Sequence, residues 1–167
     1  SANDTMPFFS GASQKYERSY RYNNLIRGRV LNILFVSAGR RVELVQEFVR
    51  VKKKKGITGS IVCTDMSDLA PALYFADKTY TIPAIRDPQF LSALMDICRK
   101  ESINLIIPTI DTELEVLSHN VGRFKEIGAD VLVSSPETVK ITRNKLKTYW
   151  FFKSIDIKTP ESYGMGM

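Results

Sequence analysis

From Leu31 onward, short apolar runs alternate with stretches in which apolar residues recur at helical spacing. Leu31–Val36, Ser60–Thr64, Lys78–Ile82, Ile103–Ile107 and Asp130–Val133 predict strands. Several of these are apolar on both faces, as expected of strands covered by helices on both sides. Arg41–Lys54, Pro88–Glu101 and Thr112–Glu126 predict amphipathic helices; in the second, Phe90, Leu94, Ile97 and Cys98 share one face while Asp96, Arg99 and Lys100 point elsewhere. Asp68–Ala76 reads as a short helix or irregular turn, because Pro71 limits what precedes it. Strand and helix in alternation imply right-handed crossovers. The expected fold is α/β: a Rossmann-like three-layer sandwich with a mostly parallel five-stranded sheet over residues 31–135. Ser1–Arg29 has no sustained period and cannot bury enough apolar surface to order itself alone, so residues 1–30 are expected to be a flexible extension.

In such a sheet, ligands sit beyond the carboxyl ends of the strands, near the point where strand order reverses. Four loops are expected to converge there: SAGRR, TDMSDLAP, PAIRDP and PTIDTEL. In the first, Ser37 and Gly39 allow a tight turn, and amides at the start of the following helix attract an anion. A dinucleotide fingerprint would place glycine where this chain has Val42. Arg40 and Arg41 instead offer the fork geometry that suits phosphate or carboxylate, with bulk where a pyrophosphate needs bare backbone. That favours a smaller, strongly anionic group over NAD. The competing reading pairs both arginines with nearby surface acids.

Asp65 follows Gly39 by about 25 residues, the spacing of a ribose-binding acid in a dinucleotide fold; a turn cap is the equal alternative. Asp111 is placed to cap a helix beginning near Thr112, with Glu113 in its first turn, and both lie at the mouth of the expected site.

Charge and composition narrow the partners. The chain has 167 residues, 44% of them hydrophobic, which is enough for one core. Its formal charge of +6 is not gathered into a groove-reading surface. The first thirty residues carry Lys15, Arg18, Arg21, Arg27 and Arg29 against two acids, half of that net charge. The run Lys52–Lys55 closes a predicted helix, where cations complement the helix dipole. Nucleic acid is therefore not expected as a partner. No apolar run is long enough for a membrane span and no signal peptide is legible, so a cytoplasmic protein without a membrane partner is expected. Cys63 and Cys98 suit buried thiols, and with His119 the only histidine no metal site is expected. The tyrosines and arginines of the extension are candidates for packing on a second subunit, as a homodimer.

The segments LNILFVSAGRRVEL, VCTDMSDLAPALYFADKTYTIP, INLIIPTIDTELEVL, VLVSSPETV and NKLKTYWFFKSIDIKTP follow one another in a telling order. Together they resemble the N-terminal, pre-ATP-grasp domain of an ATP-grasp ligase, of the group similar to the carbamoyl-phosphate synthase large subunit. The resemblance covers essentially all of Leu31–Pro160, and the succession is more specific than any one motif. It implies an enzyme that uses ATP and magnesium to activate a carboxylate as an acyl phosphate, which an amine or thiol then attacks. It also implies that the loop after the first strand faces a small carboxylate or acyl-phosphate substrate, to which Ser37, Gly39, Arg40, Arg41, Asp65, Asp111 and Glu113 are assigned.

The resemblance further implies that Lys145 contacts ATP, since Asn144 and Lys145 fall where many members carry Asp-Lys; Asn144 departs from that pattern. Residues 136–167 would then be the linker and first helix leading to an ATP-grasp domain. The glycine-rich flap, second nucleotide lysine and magnesium-binding acids of that domain do not fit in the residues after Lys145. The ATP-grasp domain is accordingly expected downstream in cis or as a split partner. No catalytic residue is assigned, no cofactor is expected on this chain alone, and it is not expected to catalyse by itself. The alternative is a stand-alone Rossmann-like regulatory module that senses a nucleotide or anion.

Overall fold

The computed structural model describes residues 30–163. Of the extension expected at residues 1–30, residues 1–29 lie outside the described residues, and Val30 forms an isolated parallel bridge with Thr58. Five strands, β1 (Ile33–Val36), β2 (Ile61–Asp65), β3 (Lys78–Thr81), β4 (Leu105–Pro108) and β5 (Asp130–Val131), form one sheet in the order β3-β2-β1-β4-β5. Every pairing is parallel. Central β1 aligns Ile33 with Ile61 on one side and with Leu105 on the other.

Six α-helices and one 3-10 turn complete the layers: α1 (Val42–Lys55), the 3-10 turn Pro71–Phe75, α2 (Phe90–Lys100), α3 (Asp111–His119), α4 (Val121–Glu126), α5 (Pro136–Thr142) and α6 (Lys145–Ser154). Alternate strand residues feed two separate cores, as the two-residue period of a strand requires. Leu34, Val36, Val62 and Ile106 pack with Phe90 and Leu94 of α2, Leu117 of α3 and Phe124 of α4. Ile33, Phe35, Ile61 and Cys63 face the other way, against Val45 of α1 and Ala72 and Leu73 of the 3-10 turn. Phe35 meets Phe48 of α1 edge-to-face, centroids 5.0 Å apart. Cys63 and Cys98 are free, buried thiols, and burial pushes each up to about 12.

Two expectations need adjustment. The helix expected over Thr112–Glu126 is two helices, broken at Asn120 (φ −115°, ψ 13°), whose side-chain amide donates to the Val116 carbonyl at 2.8 Å. The basic run of α1 is not wholly solvated: Lys52 reaches back across the helix end to the Gly59 carbonyl and to Asp77, 3.0 Å away. Beyond the sheet, α5 packs on α3 and α6 on α5, which carries the chain away from the strands. No helix among the described residues is long and apolar enough to cross a membrane.

Candidate functional site

The chain turns sharply as soon as β1 ends. Ser37 (φ 51°) and Gly39 (φ 46°) both take left-handed backbone, which glycine adopts freely and serine does not. The turn is closed by Arg41 N–H donating to the Ala38 carbonyl at 2.8 Å and moored to β2 by Ala38 N–H donating to the Thr64 carbonyl at 2.8 Å. A Cβ on Gly39 would stand 3.3 Å from Asp65 Oδ2, so glycine is what lets the loop lie against that carboxylate. Of the two readings of Asp65, the turn cap is formed, Oδ1 accepting the Ser67 amide at 3.1 Å, and the residue also lines the cleft beside the loop.

That cleft, of about 390 Å³, lies at the carboxyl edge of the sheet and draws on all four loops. Ser37, Ala38, Gly39, Arg40 and Arg41 come from the loop after β1, Asp65 and Met66 from the loop after β2, Pro83 and Ile85 from the loop after β3, and Ile110 from the loop after β4. The sheet order makes this convergence necessary, because β1 has β2 on one side and β4 on the other. Arg41 donates to the Thr109 carbonyl at 3.2 Å, bridging the first and fourth loops. Among the described residues neither Arg40 nor Arg41 forms an ion pair, so the competing reading, in which nearby surface acids pair with them, finds no support there. No side chain caps α1, which leaves its first-turn amides without a side-chain acceptor at the end of the loop.

The fourth loop corrects the expected cap. Asp111 is the first residue of α3, exposed, and makes no capping bond; the N-cap is Ile110. The acceptor is Glu113, whose Oε1 takes the Thr109 amide at 2.6 Å and the Ile110 amide at 3.3 Å. Glu113 bends back toward the strand end because those orphan amides need a partner that Ile110 cannot offer. In doing so it is wholly buried. Its Oε2 has no hydrogen-bond partner among the described residues. Burial pushes the carboxyl up to about 7; the Ser37 hydroxyl and the two amides pull the other way, and the charge of Asp65 pushes up again. Ser37 is thus near enough to bias Glu113 without completing a hydrogen bond to Oε2.

Sequence reasoning missed Thr109 entirely. Its hydroxyl donates to the Val36 and Ser37 carbonyls at 3.0 and 2.7 Å, latching the end of β4 to the end of β1. A threonine directly after a strand, opposite the loop of its neighbour, was the available signal.

Residues 33–132 match the family described as PylC-like, N-terminal domain. The chain belongs to that family. With the parallel sheet of order β3-β2-β1-β4-β5 it is a pre-ATP-grasp domain, the type of N-terminal domain carried by ATP-grasp enzymes. No curated protein sequence matches the chain. Among solved structures, the multifunctional pyruvate carboxylase of Rhizobium etli superposes with a TM-score of 0.54 at 13% identity, over 80% of this chain and 13% of that one. The biotin carboxylase domain of a thermophilic 2-oxoglutarate carboxylase, solved with bicarbonate, gives 0.53 at 16% identity, over 78% and 29%. N5-carboxyaminoimidazole synthetase of Staphylococcus aureus, solved with ADP, gives 0.51 at 15% identity, over 75% and 30%. At such identities the likeness establishes the fold. The chain spans less than a third of the length of each of these proteins.

Lys145 lies outside the matched segment and does not line the cleft. It is the exposed first residue of α6, and Asn144 caps that helix by accepting the Lys147 amide at 3.0 Å. The asparagine that departs from the usual Asp-Lys pair therefore still does the structural part of an aspartate's work.

Proposed function

We propose that the cleft receives the carboxylate substrate of an ATP-dependent ligase whose nucleophile is an amine or a thiol. The observation that carries this reading is that Arg40 and Arg41, which form no ion pair among the described residues, both line a cleft built from four loops, immediately before the uncapped start of α1. A carboxylate or acyl phosphate fits that donor set: the guanidinium forks match planar oxygens, and the amides of α1 add partial positive charge. A dinucleotide matches this loop less well, because Val42 stands where its fingerprint needs glycine and the bulk of Arg40 and Arg41 lines the cleft.

In this reading the domain's own residues bind and orient. Arg41, fixed by its bond to the Thr109 carbonyl, holds one face of the anion, and Arg40 closes on it. Neutralising the substrate's charge lets its oxygen approach a phosphoryl group instead of being repelled by it. ATP would be met by Lys145 and by an ATP-grasp domain, joined in cis or supplied as a partner. Magnesium, when bound, would supply neutralisation of phosphate charge in such chemistry. No group of three or more His, Cys, Asp or Glu suited to a metal occurs among the described residues, so no residue here is assigned to hold it.

The test is acid-dependent ADP release by the domain joined to its ATP-grasp module. Arg41→Ala should raise the KM for the acid roughly tenfold or more while leaving the KM for ATP within about twofold. An equal rise in both, or a rise for ATP alone, would move the anion site away from this loop.

A further inference from the structure

We propose that the cleft selects acids whose body beyond the carboxylate is uncharged and apolar, and that Met66, Pro83, Ile85 and Ile110 determine this specificity. The inference rests on the anion-binding reading of the cleft and deepens it. Charge and carbon are segregated around the cavity. Arg40 and Arg41 belong to the loop after β1, whereas the four apolar residues come from the loops after β2, β3 and β4. An acid whose carboxylate is held at the arginines therefore lays the rest of its length against carbon.

Ile110 is the clearest sign of this wall. It holds the N-cap of α3, a position that ordinarily takes a side chain with an oxygen to offer. Its side chain makes no capping hydrogen bond, packs into neither core and is 36% exposed. An isoleucine that neither caps nor packs breaks a local rule with no gain to the fold, and such breaks are expected at functional positions. Met66 is a second case, 64% exposed and outside both cores, within the turn that Asp65 caps. Both residues line the cleft. Apolar side chains gathered beside a few convergent polar groups are the make-up of a ligand site.

The wall is in place before any ligand arrives. Pro83 fixes its own backbone angle, and Ile85 packs on the core that holds Phe90 and Leu94. Asp87 N–H donates to the Ala84 carbonyl at 2.8 Å, closing the loop after β3. Ile82 N–H donates to the Asp65 carbonyl at 3.0 Å, which ties that loop to the one carrying Met66. Asp65 is the acid of the cleft, and its charge is kept beside the arginine loop. Its Oδ1 takes the Ser67 amide, and its Oδ2 lies against Gly39, where an added Cβ would stand 3.3 Å away. A charge at the far end of a bound acid, of either sign, would instead meet side chains that cannot replace the water it sheds.

The probes are acetate, butanoate, hexanoate, the ω-amino analogue of hexanoate and the six-carbon dicarboxylate. Each is titrated into the 167-residue chain at constant neutral pH and ionic strength, and binding is read from amide shifts of the loop after β1. Affinity should rise roughly twofold to fourfold per methylene from acetate to hexanoate. The two acids with a second charge should bind roughly fivefold or more weakly than hexanoate. Ile110→Ser, which restores an ordinary N-cap, should shrink the gain from acetate to hexanoate by roughly threefold or more. Met66→Gln probes the same wall from another loop, and it carries the test if the serine variant fails to fold. Arg41→Ala should weaken every acid by a similar factor and leave the gain with chain length in place.

A wild-type affinity that is flat with chain length, a gain that survives in both wall variants, or a doubly charged acid that binds as well as hexanoate overturns the apolar specificity and leaves the anion site standing. Absence of loop shifts with every acid, or hexanoate binding that Arg41→Ala does not weaken, overturns the anion site, and this inference with it.

Discussion

Replacing Glu113 by glutamine should make the domain more stable at neutral and alkaline pH, although it removes a buried side chain from its native chemistry. The amide oxygen keeps the acceptor that serves Thr109 and Ile110. What changes is charge. In the unfolded chain the carboxyl titrates near 4.5; in the fold burial holds it up at about 7. Because the folded value is the higher one, the native state keeps its proton after the unfolded state has lost it, so stability falls as pH rises between the two values and levels off above about 7. The loss at the plateau is about 3 kcal/mol, a substantial fraction of a small domain's net stability. Urea unfolding of wild type and Glu113→Gln, measured in parallel at about pH 5, 6.5 and 8, isolates this effect because other groups cancel in the difference. The two proteins should be nearly equal at the lowest pH and differ by about 3 kcal/mol in favour of the variant at the highest. Glu113→Leu, which also removes the acceptor, should be less stable than glutamine at every pH by about 1–3 kcal/mol. A difference between wild type and glutamine that does not change with pH would show that Glu113 is not the buried acid described here.

Other residues give further expectations. Gly39→Val should destabilise the domain by roughly 1–3 kcal/mol in thermal or urea unfolding, because a β-branched residue cannot take the left-handed backbone without strain and its Cβ would press on Asp65. Gly39→Asn, which tolerates that backbone, should cost less; equal stability of the valine variant would refute the assigned turn. Lys145→Ala should leave the stability of the domain unchanged, since an exposed lysine contributes little. In the protein carrying its ATP-grasp module the same change should weaken ATP binding about tenfold to a hundredfold, and unaltered ATP affinity and turnover there would return Lys145 to the ordinary surface.

The parts of the molecule legible in the sequence are those governed by burial on both sides. β1 and β4 are unbroken apolar runs and β2 is apolar as far as Cys63, because helices cover both faces of the sheet, and the convergence of four loops follows from parallel strands alone. The break at Asn120 is hidden in the sequence because Leu117, Val121 and Phe124 keep a helical period across it, and the neighbouring Gly122 lies within the second helix rather than at the break. Asp111 attracted the capping role by residue type, whereas the bond is made by Glu113, at the third helical position after Ile110. A capping box ordinarily announces itself with serine or threonine at the N-cap; here isoleucine stands there, so half of the signal is missing. That Glu113 would be buried could not be read from a polar residue in a first turn. It follows from tertiary structure, namely Thr109 holding the ends of β1 and β4 together and leaving two amides to be satisfied inside.

The central claim is that the cleft presents a carboxylate oxygen to ATP, and that oxygen can be followed. With the domain joined to its ATP-grasp module, a panel of carboxylic acids carrying heavy oxygen in the carboxylate is incubated with ATP and an amine or thiol, and the released phosphate is examined by mass. The account predicts that one heavy oxygen passes from the accepted acid into phosphate, and that Arg41→Ala suppresses this transfer at limiting acid. ATP cleavage that proceeds at the same rate without any acid, or that releases phosphate free of the label while the acid is consumed, would contradict it.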